Sequence, residues 1–236
     1  MNIDLSIIIP VYQEEALLRR CLQCVMSQID LRCVEVIVVE GGEQDLNRRI
    51  TQEFNCQYIS AKVGRAYQLN RGALLSKGRW LMFLHADCIV GSGFYESFRS
   101  LEATVYWGFF YHRIDAKGVL YRIIEHMDNI RARYLELPYG DQAIFVRKDV
   151  FVEIGMFPEV PILEDLILAR TLAKQYTCRG LYPILRSSAR RWEARGIIST
   201  TLLNWEILFL YYFTDTSLNE LASMYRNNRR ENDSPK

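Results

Sequence analysis

Three apolar runs, each halted by a polar side chain, constrain what this chain can fold into. Leu5-Ser-Ile-Ile-Ile-Pro10-Val-Tyr12, Val34-Glu-Val-Ile-Val-Val39-Glu40 and Trp80-Leu-Met-Phe-Leu84 read as strands buried on both faces. After the first, Gln13-Glu14-Glu15 opens a helix that sets Leu17, Leu18, Cys21, Leu22 and Val25 on its inner face. A polar helix start at 43–47, a weaker strand at 57–60 and a cationic loop-to-helix segment at 62–73 fill the rest. Strand and helix thus alternate four times over residues 1–90, the pattern of a parallel, doubly wound α/β sheet. Ligands of such sheets gather outside the carboxyl ends of the strands, where Glu40 and Asp87 fall. Asp87 equally suits a helix cap or a turn.

The second half is less regular. Residues 105–111 read as a strand, 120–134 as a helix, Gly140-Asp141-Gln142 as a turn into a strand at 143–146, and 148–155 as a short helix. Pro158 and Pro161 bracket a loop ending in Glu164-Asp165, and an apolar-periodic helix follows to residue 173. The segment 197–213 is apolar and aromatic, contains Asn204 and Glu206, and is at the short limit for crossing a bilayer. An amphipathic helix packed on the body is expected there, with peripheral membrane contact or a homodimer as alternatives. Ser217-x-x-Glu220 caps a last helix, and the tail from Arg226 reads as polar and frayed. A net charge of +1 argues against a nucleic-acid partner. Cys21-x-x-Cys24 lacks a second pair at matching spacing, so the six cysteines read as reduced thiols, not zinc ligands. The N-terminus has no basic start or cleavage site, so the expected location is cytoplasmic or peripheral to the inner face of the membrane.

Four features occur in a fixed order: Ile-Ile-Pro10-Val-Tyr12-x-Glu14, Val-Val-Glu40-Gly41-Gly42, Leu-His85-Ala86-Asp87, and Glu164-Asp165 ahead of Arg191-Trp192. With them the chain resembles the family 2 glycosyltransferases of the GT-A fold over nearly its full length. Gly64-Arg65-Ala-x-Gln68-x-Asn70-x-Gly72-Ala73, Gly140-Asp141-Gln142-Ala143 and Arg190-Arg191-Trp192-Glu193 resemble a bacterial radical-SAM-associated subgroup of that family. The resemblance implies one Rossmann-like αβα domain over 1–236 with a mixed, mostly parallel sheet. Its nucleotide-sugar half is 1–90, its acceptor half with the C-terminal helices 91–225, and its polar tail 226–236.

It also implies roles. Pro10, Tyr12, Glu14, Glu40 and Gly41 stand where the family holds the nucleotide, with Glu40 replacing the usual Asp. His85 takes the first position of the Asp-x-Asp metal motif and leaves Asp87 as its single carboxylate, with Ala86 between them. Mg²⁺ or Mn²⁺ bound by one carboxylate and substrate oxygens suits a leaving diphosphate. Lys62, Gly64 and Arg65 are expected nucleotide contacts. Asp165 is the implied general base of an inverting transfer, although Glu164-Asp165 also reads as plain helix-dipole stabilisation. Arg190 or Arg191, beside Trp192, would neutralise the diphosphate, and Ser188 at the family's Gln position argues for single transfers. Asp141 and Gln142 face the acceptor or close a turn. The expected partners are a nucleotide-diphospho-sugar and a small-molecule or lipid-linked hydroxyl acceptor. A sugar-nucleotide pyrophosphorylase is disfavoured, because Pro-Val-Tyr-Gln-Glu-Glu follows strand one where that class carries a glycine-rich basic loop. Keeping both Asp87 and Asp165 disfavours a non-catalytic binder.

Overall fold

The computed structural model describes residues 3–42 and 45–230. The first half runs β1 (Leu5–Val11), α1 (Glu15–Met26), β2 (Val34–Gly41), α2 (Asp45–Glu53), β3 (Gln57–Ala61), α3 (Arg65–Leu75) and β4 (Trp80–Phe83). It continues with β5 (Cys88–Ile89), α4 (Phe94–Arg99), β6 (Trp107–Ile114), α5 (Val119–Leu135), a 3₁₀ turn (Gly140–Gln142), β7 (Phe145–Arg147) and α6 (Lys148–Glu153). Last come α7 (Glu164–Ala173), β8 (Cys178–Ser187), α8 (Arg190–Arg195), α9 (Ile197–Phe213) and α10 (Leu218–Arg230).

All eight strands form one sheet in the order β3-β2-β1-β4-β7-β6-β8-β5. The strands β3 to β4 are parallel, β7 inserts antiparallel between β4 and β6, and β8 returns parallel to β6. The two-residue side-chain alternation splits the core into layers. Ile7 and Ile9 face Leu18, Leu22, Val25 and Phe94. Ile8 and Val39 face Ala66, Leu69, Phe151 and Leu168 on the other side. Helix α3 lies tight on the sheet because Gly72 has no side chain: a Cβ there would stand 2.5 Å from Ile8 Cγ2. The buried Gln68 of α3 ties the strand ends together, donating to Val11 O (2.9 Å) and Val39 O (2.8 Å).

The structure corrects several expectations. The strand expected at 105–111 starts at Trp107 and extends to Ile114, and the one expected at 143–146 is Phe145–Arg147. β8 was not anticipated. Its Tyr182-Pro183-Ile184 segment lies where the register with β6 slips between Phe110 and His112, so Pro183 removes no ladder bond there. α9 packs Leu203 and Ile207 on Leu221 of α10, as an amphipathic helix would, but its opposite face is apolar too: Ile198, Leu202, Trp205 and Phe209 are exposed. Among the described residues no helix is long and apolar enough to cross a membrane. α10 continues past Arg226 to Arg230. Residues 43–44 of the expected helix start and 231–236 of the expected tail lie outside the described residues.

Candidate active site

The site lies along the carboxyl ends of β1, β2 and β4. Pro10 is the penultimate residue of β1, Tyr12 is half exposed just beyond it, and Glu14 stands at the N-cap position of α1 without a side-chain capping bond. Glu40 ends the apolar run of β2 and is fully buried. One of its oxygens accepts from Asn47 Nδ2 (2.5 Å), and the other has no hydrogen-bond partner among the described residues. Burial pushes its pKa up to about 6, against the pull of the Asn47 hydrogen bond. Gly41 follows on the strand. Lys62 lies over the Tyr67 ring at 4.4 Å, Gly64 caps α3, and Arg65 in the first turn of α3 pairs with the buried Glu164 at 3.1 Å.

The polar end of β4 meets the start of α7 at Gly140. A Cβ on Gly140 would stand 2.6 Å from His85 Nε2 and 3.2 Å from Asp165 Oδ2. The Gly140 N–H donates to that same Asp165 oxygen at 2.7 Å, while Asp165 Oδ1 accepts from Leu166 N–H at 2.7 Å. Burial, then Arg65, Arg191 and Arg190, push the His85 pKa well down, so its imidazole is neutral. Ala86 is buried between His85 and Asp87.

Asp87 meets Arg190, whose guanidinium bridges Asp87 Oδ2 (3.5 Å) and the Glu14 carboxylate. Arg191 lies instead over the Tyr225 ring at 4.4 Å. The arginine against the candidate metal ligand is therefore Arg190. Burial still pushes the Asp87 pKa up, because Arg190 opposes that shift while Asp141 adds to it. A carboxylate whose charge is so incompletely balanced fits an added cation. Among the described residues no three His, Cys, Asp or Glu side chains are grouped to cage an ion.

Behind this line sits a polar network that no sequence motif announced. The buried His112 of β6 faces Asp141 Oδ2 at 3.5 Å, Ser187 Oγ at 3.3 Å and Asp128 Oδ2 at 3.6 Å. Burial opposes its charge, but Asp141 and Asp128 outweigh that and raise its pKa. Asn129 of α5 clasps the His112 backbone, accepting from its N–H (3.0 Å) and donating to its carbonyl (2.8 Å). Gln142 donates to Asn129 (3.3 Å) and accepts from Tyr139 N–H (3.1 Å), so the expected acceptor residue closes its own turn. Asp141 keeps one buried oxygen without a hydrogen-bond partner among the described residues. Trp192 stands off from the carboxylates, edge-on to Tyr121 (6.4 Å) in a small cluster with Ile114, Ala189 and Ile197. Sequence reasoning missed His112, Asn129 and Asn47. A lone histidine in an apolar strand and an asparagine inside a helix carry no signal of their own.

An α/β sheet with carboxylates and arginines at its strand ends, and a second acidic pair at the start of α7, is the arrangement that the resemblance to GT-A transferases implies. Residues 6–157 match glycosyl transferase family 2, and the chain belongs to that family. It is 35% identical over 91 residues to glycosyltransferase AglE of Haloferax volcanii, covering 35% of this chain and 30% of that one. With glycosyltransferase GlyA of Streptococcus pneumoniae it shares 25% identity over 151 residues, 60% of this chain and 21% of the other. The matches thus span less than a third of these curated relatives. Among solved structures, S. aureus TarS 1–349 superposes with a TM-score of 0.66 at 14% identity, over 97% of this chain and 72% of TarS. That protein is also known in complex with UDP-GlcNAc. The mannosyltransferase PcManGT from Pyrobaculum calidifontis, in complex with GDP-Man and Mn²⁺, gives 0.62 at 14% identity over 98% of this chain and 71% of that one.

Proposed function

We propose that this glycosyltransferase moves a sugar from a UDP- or GDP-linked donor to a hydroxyl acceptor, with inversion and with a divalent metal. The observation that supports the reading is the contact of His85 and Asp165 with Gly140, which brings the end of β4 that leads to Asp87 up to the start of α7. Glu40, with its uncommitted buried oxygen, suits a donor group of the base or ribose, and Pro10, Tyr12, Gly41, Lys62, Gly64 and Arg65 border the same edge. Asp87 would hold Mg²⁺ or Mn²⁺ together with diphosphate oxygens, and the ion would supply positive charge to the leaving diphosphate. Arg190, already on Asp87 and Glu14, adds charge on the same side, and Arg191 follows it on α8. Asp165, one oxygen fixed by the Gly140 N–H, takes the acceptor hydroxyl's proton as that oxygen bonds to the anomeric carbon. The bond to the diphosphate breaks on the opposite face, and the nucleoside diphosphate leaves with that electron pair. Asp141 lines the acceptor side. The donor seen with TarS and the donor and ion seen with PcManGT support this reading, as do the subgroup phrases around Gly64, Gly140 and Arg190.

The test is thermal unfolding with UDP, GDP, CDP and dTDP, each with Mn²⁺ and with EDTA, followed by turnover of the matching sugar donor. A metal-dependent rise with one nucleotide is expected. Asp165→Asn should keep that rise and lose about 10²-fold or more in turnover. No rise with any nucleotide in folded protein would overturn the donor site, and unchanged turnover in Asp165→Asn would remove the base.

A further inference from the structure

Helix α5 is amphipathic the wrong way round for a helix on a protein surface in water. Its inner face carries the polar groups. Glu125 accepts from Ile114 N–H (3.0 Å), Asp128 pairs with Arg131 (2.6 Å) and faces His112, and Asn129 clasps the His112 backbone. Its outer face carries Leu120, Ile123, Met127, Ile130 and Tyr134 at three-and-four spacing, each between 44% and 70% exposed. A shallow groove of about 530 Å³ on this helix is lined by Ile123 and Met127 of the stripe together with Arg122, Glu125, His126 and Asn129, so the stripe and the polar network belong to one element.

We propose that the outer face of α5 docks on an anionic lipid bilayer. The apolar stripe is what an interfacial helix buries at the headgroup boundary, and the charges around it select the sign of the surface. Both acids of the helix are turned inward and bonded, and the exposed charged side chains nearest the stripe are the cations Arg133 on the helix and Lys117 just before it, while Asp115, the exposed acid beyond Lys117, already faces Arg20 and Arg186. Anionic headgroups would pair with both cations. Docking in this way places the polar network on the inner face of α5 one helix thickness behind the lipid surface.

The experiment is flotation of the full chain with DOPC vesicles and with DOPC/DOPG vesicles, alongside the mass in lipid-free solution. The wild type should float with the DOPG vesicles, less so at high salt and weakly with DOPC. Ile123→Glu/Met127→Glu should lower flotation about tenfold or more with unchanged circular dichroism, and Arg133→Glu should lower it with DOPG vesicles only. Val152→Glu, on the exposed side of α6, should float as wild type does. The proposal falls if folded wild type floats with neither vesicle, or if the double variant floats equally well. It also falls if the wild type is a dimer without lipid that the double variant separates, which makes the stripe a subunit interface. Flotation reads no catalysis, so its outcome is independent of the transferase reading.

Discussion

Gly140→Ala probes the cleft with a single methyl group. The new Cβ would meet His85 Nε2 at 2.6 Å, His85 Cε1 at 2.8 Å and Asp165 Oδ2 at 3.2 Å. Ordinary contact needs about 3.5 Å, so the imidazole must retreat by about 1 Å and the carboxylate by a few tenths. The alanine keeps its N–H, so the hydrogen bond to Asp165 is lost only if the turn itself shifts. Overpacking of this kind costs about 1–3 kcal/mol, a fall of a few degrees in Tm for a chain of this size. Misplacing a catalytic group by about 1 Å costs roughly 10²-fold in rate, so a shift of a few tenths at Asp165 costs a smaller factor, about tenfold. The assay is kcat for donor turnover, with water as acceptor where no better one is known, beside the Tm rise given by Mn²⁺ and the cognate nucleotide. The expected result is a folded protein with kcat down about tenfold and the nucleotide-induced rise kept. A folded variant whose kcat stays within about threefold of wild type would refute the argument that Gly140 sets the base. A parallel loss of nucleotide response would refute it too, because the damage would then not be confined to the base.

Two further substitutions test the donor side. Asp87→Ala should abolish the Mn²⁺-dependent part of the nucleotide-induced Tm rise while leaving the metal-independent part; if EDTA still lowers the rise in the variant, the ion is held elsewhere. Glu40→Gln tests burial. A folded pKa of about 6 against an ordinary 4.5 means that the folded state binds the proton more tightly, so stability falls as pH climbs between those values and the deficit persists above them. That deficit is about 2 kcal/mol. The variant should therefore melt higher than wild type at pH 8, with the gap closing near pH 4, and a gap independent of pH would sink the account.

How much of this was legible in the sequence depended on whether an element is specified by its own residues or by a distant partner. β1, β2 and β4 have both faces covered, so their apolar runs stand out without any knowledge of the fold. β8 is specified by β6, about 70 residues earlier in register, and its Arg179, Pro183 and Arg186 read locally as loop. The period of α5 was visible, but a period announces an apolar stripe and not which way it faces. What turns Glu125, Asp128 and Asn129 inward is the need of His112 and of the Ile114 N–H for partners, and those lie on another strand.

The same division runs through the site. Asp87 and Asp165 end a strand and begin a helix, positions that sequence marks by a change of pattern. Arg190 and Arg191 are neighbours on one helix, about 100° apart around its axis, and nothing local says which turns to the cleft. In the structure Arg190 lies on Glu14 while Arg191 lies over Tyr225 of α10, and both charges reach His85. That split has a chemical consequence. With Arg190 on both Glu14 and Asp87, the arginine would, in the proposed donor site, exchange carboxylate partners for diphosphate oxygens without crossing open solvent.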